Sequence, residues 1–221
     1  MKKENDILYK AIQNSLSAGT QEICTTFETM DWKNIAVYGN WLAQTYYYVC
    51  HSTRLLAAAA ARFTVKYDKE HIQMIDHAKE ERMHEKIAIH DLQALGLNIK
   101  DFPELPQTKS LYHSMYSLIE RENPMAMFGY ILLLETLSLA KGHDIKNYAQ
   151  KNFGLKSTAY LKLHTEDDVE HLKSYEKIIM ESTEINKMDI KNAVELTTSN
   201  YKSMLVAIND IAKSTKEKLA A

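Results

Sequence analysis

The chain contains few of the residues that interrupt helices. It has only six glycines and three prolines among 221 residues. Because these two residue types mark tight turns and helix ends, such low numbers favour long helices over a turn-rich β fold. We therefore expect an all-α protein.

Cysteine motifs and a strong charge of one sign are also missing. Cys24 and Cys50 form no CxxC motif and no zinc-binding spacing, and they predict no disulfide framework. The formal net charge of −2 gives no electrostatic reason to expect a nucleic acid or an anionic membrane as a partner. No long apolar segment follows the N-terminus, and none approaches the length that crosses a bilayer. We expect a soluble, cytoplasmic protein.

The helical pattern predicts one domain over residues 1–221, with N-terminal helices in 1–31 and a core bundle in 32–216. Gly19, Gly96, Gly142 and Gly154 are expected near helix ends, and the prolines around residues 103–106 predict a loop. The predicted helices cover about 4–17, 20–31, 32–64, 69–95, 108–121, 124–142, 143–152, 157–182 and 189–216.

Side chains that bind metals recur at helical spacing. His164, Asp168 and His171 stand at i, i+4 and i+7, so a helix would place them on one stripe. Glu81 and His84 form a second pair at i, i+3. Two imidazoles and a carboxylate are typical of a non-haem iron centre that keeps positions open for dioxygen and substrate. The sequence therefore predicts an iron centre.

Glu135 stands within an apolar run that begins at Tyr130. A buried carboxylate is costly unless a metal, a cation or a proton satisfies it. Carboxylates and histidines that project from several helices into one core build the di-iron carboxylate proteins. The competing interpretations are a protonated Glu135, or one paired with Arg54 or Lys141. His164 and His171 would then belong to an acidic, solvated helix face.

Three segments together resemble a known family. They are YVCHSTRLL at 48–56, EERMHEKIAIHDLQALG at 80–96 and HTEDDVEH at 164–171. Over about residues 30–185 the chain is similar to the haem-oxygenase-like iron-containing redox enzymes. The resemblance implies a compact haem-oxygenase-like bundle of about seven helices. Proteins with this fold include TenA-type thiaminases, a cofactor-independent PQQ-synthesis oxidase and di-iron oxidases.

The resemblance also implies a cofactor and a reaction. It implies two Fe(II) ions per chain, with dioxygen as co-substrate, and oxidation or oxygenation of a small organic substrate such as an amino acid, an amine or a fatty acid. The implied metal ligands are Glu81, His84, Glu135, His164, Asp168 and His171. The sixth ligand stays open between Glu81, His77 and His51, and a single iron remains an alternative.

Other functions stay open on the same scaffold, because one fold hosts unrelated chemistries. One is a cofactorless or haem-binding oxidase, and another is a non-enzymatic helical interaction protein. No cysteine follows His51, so the late-loop nucleophile of TenA-type thiaminases is missing, which argues against thiamin salvage. Tyr47 and Arg54 are candidates for substrate binding. The helix predicted over 189–216 could join the core or form a homodimer.

Overall fold

A computed structural model describes residues 2–220, with side chains described for residues 7–165 and 172–214. Within residues 2–220 the chain forms nine α-helices and no β-strand, as the scarcity of glycine and proline predicts. The helices are α1 (Lys2–Glu28), α2 (Ile35–Val49), α3 (Ser52–Arg62), α4 (Asp68–Glu80), α5 (His84–Ala94), α6 (Pro106–Ser117), α7 (Ala126–Phe153), α8 (Ala159–Glu181) and α9 (Glu184–Ala220).

Two of the predicted helix ends are wrong, and close packing explains both. The chain passes through Gly19 and Gly142 without a break, so α1 and α7 are each one helix where two were predicted. A Cβ atom on Gly19 would lie 2.3 Å from Oγ1 of Thr198, and one on Gly142 would lie 2.5 Å from Cγ2 of Thr165. These glycines let neighbouring helices approach closely instead of ending their own helices.

Two predicted long helices are each broken in the middle. The helix predicted over 32–64 ends at Val49, and α3 begins at Ser52 after a turn at Cys50 and His51. The helix predicted over 69–95 is interrupted at residues 81–83, where Met83 adopts the left-handed conformation with φ 78°. A residue with a Cβ atom is sterically strained in this conformation. The second break falls on the predicted metal ligands.

Helix α7 forms the centre of the bundle. It packs against α1, α8 and α9, while α9 also lies along α1 and α6. Its buried face includes Phe128, Leu133 and Leu137. Fully burying a side chain of this size contributes about 1.5–3 kcal/mol. The two pairs that replace the interrupted helices, α2–α3 and α4–α5, cover the remaining sides of the bundle. Helix α3 packs on α4, and α2 packs on α5.

A buried carboxylate connects α5 to the beginning of α8. Oδ2 of Asp91, on α5, accepts a hydrogen bond from the backbone N–H of Tyr160 at 2.8 Å. Burial raises the pKa of Asp91, while the backbone N–H groups of Tyr160 and Ala159 act in the opposite direction. The first N–H groups of a helix have no partner within that helix. Asp91 thus fixes where α8 starts.

None of the helices, over the residues that the structure describes, is long and apolar enough to cross a membrane.

Candidate metal centre

Three of the predicted ligands come together in the bundle. Glu81, His84 and His164 each offer a ligand atom, and these atoms all lie within 4.8 Å of one another. Glu81 lies at the break after α4, His84 begins α5, and His164 lies on α8. The rings of His84 and His164 meet edge to face, with their centroids 5.2 Å apart.

The interruption of the helix at Met83 changes how the side chains of Glu81 and His84 meet. On an uninterrupted helix their i, i+3 spacing would fix their approach, but here residues 81–83 form a turn. Nδ1 of His84 faces Oε2 of Glu81 at 3.5 Å. That nitrogen is buried, and it forms no hydrogen bond with any described residue. A buried imidazole nitrogen directed at a carboxylate is a suitable metal ligand.

Glu81 faces a histidine with each of its two oxygens. Oε1 lies 3.5 Å from Nε2 of His77, whereas Oε2 faces His84. Burial alone would raise the pKa of the Glu81 carboxyl, but the imidazoles of His77 and His84, together with His164, outweigh it and hold the pKa well below its usual range. Glu81 is therefore ionised and available to bind metal.

Glu135 joins the same cluster through His77. Its Oε1 lies 3.6 Å from Nε2 of His77, and the side chain is buried on α7. Lys141, one of its alternative partners, lies 2.8 Å from Glu28 and 3.6 Å from Asp144. The centre thus has two adjoining groups that share Glu81. One consists of Glu81, His84 and His164, and the other of His77, Glu81 and Glu135.

A buried tyrosine sets the orientation of His77. The hydroxyl of Tyr175, on α8, lies 2.5 Å from Nδ1 of His77, and the Tyr175 side chain is fully buried. The other ring nitrogen, Nε2, then faces the two carboxylates. Histidines that bind metals use such a second contact to fix the ring. Tyr175 was not predicted from the sequence, although it extends the stripe 164, 168, 171 by one helical turn.

Two predicted ligands, Asp168 and His171, lie on α8, but their side chains fall outside the described residues. His51 lies apart from the described cluster. Its ring stacks on Tyr112 with centroids 3.8 Å apart, and its Nδ1 lies 3.1 Å from the hydroxyl of Tyr116.

The candidates for substrate binding also point elsewhere. The hydroxyl of Tyr47 donates a hydrogen bond to the carbonyl of Phe102 at 3.1 Å. Arg54 is exposed and donates to the carbonyl of Cys50. Because α2 ends at Val49 and α3 is a separate helix, one continuous helical register does not relate these two side chains. Neither lies among the described residues that line the cavity beside the metal centre.

That cavity has a volume of about 100 Å³. Four members of the centre, His77, Glu81, Glu135 and His164, form part of its wall. Cys24 and Cys50 do not appear among its described lining residues. The other described residues around it are Phe27, Trp41, Tyr48, Val49, Ser52, Leu56, Met127, Tyr130, Ile131, Leu134, Leu137, Ser138, Lys141, Gly142, Ile145, Tyr160, Leu161 and Tyr201.

Comparison with known proteins agrees with the fold and with a metal centre. The profile of a family described as iron-containing redox enzyme matches residues 39–197. No curated protein sequence matches the chain. A domain of unknown function with a haem-oxygenase-like fold, from Shewanella denitrificans, superposes with a TM-score of 0.77 at 18% identity, covering 97% of this chain and 94% of that one.

Two TenA homologues share the fold as well. The one from Pseudomonas syringae pv. tomato has a TM-score of 0.75 at 12% identity, with 90% of this chain and 91% of that chain covered. The one from Pyrococcus furiosus has a TM-score of 0.68 at 14% identity, with 89% and 99% covered. At these identities the likeness establishes the haem-oxygenase-like fold and says nothing about the reaction.

Proposed function

The chain belongs to the family of iron-containing redox enzymes, and from this premise we propose that it is a non-haem iron oxidase or oxygenase that uses dioxygen on a small organic substrate. The observation that carries the proposal is the position of Glu81, a mostly buried carboxylate that lies between His77 and the pair His84 and His164. Imidazole and carboxylate ligands in this number suit iron, and a haem would not require a cluster of carboxylates.

The residues fit two metal positions. In our proposal Glu81 would help to hold both ions, because its two oxygens face two different histidines. His84 and His164 would hold one ion and Glu135 the other, with His77 as a further ligand or as the group that orients the two carboxylates. The family resemblance adds Asp168 and His171, whose side chains lie outside the described residues, to the proposed ligand set. The carboxylates offset the positive charge of the ions, and the imidazoles hold them against loss.

Iron bound here would supply the electrons that activate dioxygen. The protein supplies orientation and exclusion of water. Tyr175 holds the His77 ring in place, so that the two carboxylates keep their positions relative to each other. Buried aromatic side chains line the cavity beside the centre. This arrangement favours a single small substrate beside the metal.

The test is iron content after anaerobic reconstitution with Fe(II). We expect about two irons per chain in the wild type, and a sharp decrease in each of His84→Ala, Glu135→Ala and His171→Ala. His51→Ala is the matched control, because His51 stacks on Tyr112 and not on the centre. Its iron content should equal that of the wild type. Circular dichroism confirms that each variant is folded.

The outcomes separate the alternatives. One iron, lost with His84→Ala but kept with Glu135→Ala, would indicate a mononuclear centre in which Glu135 only orients His77. No iron in any form would reject the iron-dependent proposal and leave a cofactorless oxidase or an interaction protein. Iron-dependent consumption of dioxygen in an oxygen electrode, absent from the metal-free protein, would support the redox role directly.

A further inference from the structure

The cavity beside the metal centre, here called the inner cavity, is small, and most of the side chains around it are aliphatic or aromatic. Its volume of about 100 Å³ lies below the roughly 150 Å³ of an engineered apolar cavity that binds benzene or xenon. One water-sized molecule needs only about 10–15 Å³. A molecule with a ring therefore exceeds the inner cavity, whereas a molecule of two atoms fits within it.

A second, outer cavity adjoins the inner one. It has a volume of about 510 Å³ and lies between the C-terminal end of α1, the loop that follows it and the second half of α7. The exposed side chains of Asp144 and Tyr148 form part of its wall, so the outer cavity opens to solvent. Phe27, Lys141 and Ile145 line both cavities, which places these three side chains at the junction between them.

Two apolar side chains and one lysine form this junction. Phe27 and Ile145 are buried. Nζ of Lys141 lies 2.8 Å from Glu28 and 3.6 Å from Asp144, and both carboxylates belong to the outer cavity. The carbon chain of such a lysine packs on apolar surface while its charged end stays near water. Because both carboxylates are mostly exposed, these ion pairs contribute little stability, and Lys141 can move away from the junction at little cost.

The lining of the junction and of the inner cavity favours a neutral, apolar molecule. A charged molecule that passed the junction would lose its hydration among aliphatic and aromatic side chains, which is costly. An engineered apolar cavity, by contrast, takes up xenon. Dioxygen is small, neutral and apolar, and it dissolves better in hydrocarbon than in water. It therefore matches both the size and the lining of the inner cavity.

We propose that dioxygen reaches the metal centre from the outer cavity, through the junction at Phe27, Lys141 and Ile145, and into the inner cavity. Lys141 forms the movable side of the junction. The route ends beside Glu135 and His164, which stand in the wall of the inner cavity. The inference rests on the proposed function only in making dioxygen a co-substrate. Passage of the gas depends on the cavities and requires no iron.

The chain carries its own reporter of dioxygen in the inner cavity. It contains two tryptophans, Trp41 in the wall of the inner cavity and Trp32 in the wall of the outer one. Their rings lie 6.0 Å apart, so excitation can pass between them. Trp32→Phe leaves Trp41 as the single tryptophan. Dioxygen quenches tryptophan phosphorescence on close approach, so the quenching constant of Trp41 measures how often dioxygen reaches the inner cavity.

The quenching constant is measured in the metal-free protein at several dioxygen concentrations, with every variant made in the Trp32→Phe background. Ile145→Phe adds atoms to the junction and should lower the constant at least about threefold, since packed interiors leave few other voids. Ile145→Ala and Lys141→Ala remove atoms from the junction and should raise the constant. A general loosening of the fold would raise quenching in every variant, so it cannot produce the expected decrease.

Leu139→Phe is the matched control. Leu139 is partly buried on the same helix, α7, and lies in the described wall of neither cavity. This variant enlarges an aliphatic side chain by a similar amount. Its quenching constant should equal that of the Trp32→Phe parent, once circular dichroism has confirmed that each variant is folded.

Three results would overturn the inference. They are an unchanged quenching constant in Ile145→Phe, equal decreases in Ile145→Phe and Leu139→Phe, or no increase in either alanine variant. The measurement uses metal-free protein, so its failure is distinguishable from failure of the proposed function. Bound iron together with unchanged quenching would keep the metal centre and reject this route. The expected quenching in a chain that binds no iron would keep the route for a small gas and reject the proposed function.

Discussion

Helix α7 and the interrupted pair α4–α5 meet at the candidate metal centre, and they hold their candidate ligands in different ways. Glu135 stands on α7 close to the buried side chains of Leu133 and Leu137. In α4, by contrast, only Met74 and His77 are buried among its 13 residues. Packing fixes the ligand on α7, whereas polar contacts fix those on α4 and α5. Substitutions on the two sides should therefore act through different physical effects.

The largest effect is expected from overpacking α7 with Gly129→Ala. A Cβ atom there would lie 2.3 Å from the backbone oxygen of Ile190 and 2.9 Å from Cβ of Ala193. Backbone atoms cannot rotate away, so the helices must separate. We expect the free energy of unfolding to fall by about 3 kcal/mol, measured by urea denaturation.

Gly142→Ala provides the control on the same helix. Its new Cβ atom would meet Cγ2 of Thr165 at 2.5 Å, and a side chain can adjust where backbone cannot. We expect a loss below about 1.5 kcal/mol. Equal losses in the two variants would show that the backbone contact at Gly129 is no more costly than the side-chain contact at Gly142.

A smaller effect is expected from Asp91→Ala, which removes the contact that fixes the start of α8. Loss of a helix-capping side chain costs about 0.5–2 kcal/mol. Asp91→Asn retains one acceptor oxygen and should cost less. Thermal unfolding of the two variants measures the difference, and equal costs would mean that hydrogen bonding to Tyr160 is not what stabilises this junction.

Asp91 should also make the stability of the folded chain depend on pH. Because burial raises the pKa of Asp91 in the folded chain, the carboxyl binds its proton more tightly in the folded state than in the unfolded state. This tighter proton binding stabilises the folded chain fully when the pH is below the unfolded pKa of about 3.9. The stabilisation is lost as the pH rises through the pKa of the folded state. The stability of the wild type relative to Asp91→Asn should therefore decrease on going from about pH 3 to about pH 7. An increase would contradict the raised pKa.

The smallest effect, and the only gain, is expected from Met83→Gly. Glycine adopts positive φ without the steric cost that Met83 bears at φ 78°. We expect stability to rise by about 1 kcal/mol, and iron content to remain unchanged. Met83→Ala retains the Cβ atom and serves as the control, since it should give no gain. A gain from alanine would assign the effect to the exposed methionine side chain instead of the backbone.

Much of the fold was predictable, because helical periodicity and the scarcity of glycine and proline are properties of the sequence alone. Glu81, His84 and His164 were named as candidate ligands from residue type, helical spacing and the family resemblance together, and the structure brings the three side chains close to one another. The break at Met83 was not, since methionine carries no signal for a left-handed conformation. Gly19 and Gly142 were misread as helix ends because only the packed structure shows what faces them.

The roles of the tyrosines were beyond the sequence for a similar reason. In the sequence, Tyr175 and Tyr130 do not differ from ordinary core tyrosines. Only the structure shows which groups lie next to their hydroxyls. One contacts His77, and the other has no partner among the described residues. The size of the cavity likewise depends on how the side chains of several helices meet.

The contact between Asp91 and Tyr160 bears on which parts of the candidate site can change in sequence independently of the others. His84 lies roughly two helical turns before Asp91, and His164 lies about one turn after Tyr160. These two helical segments and the carboxylate between them form a short frame that sets the spacing of the two imidazoles. Glu135 lies outside this frame, on α7, which comes between α5 and α8 in the sequence. Sequence changes in α6 or α7 can thus shift or remove one of the two proposed metal positions, while His84 and His164 at the other keep their spacing.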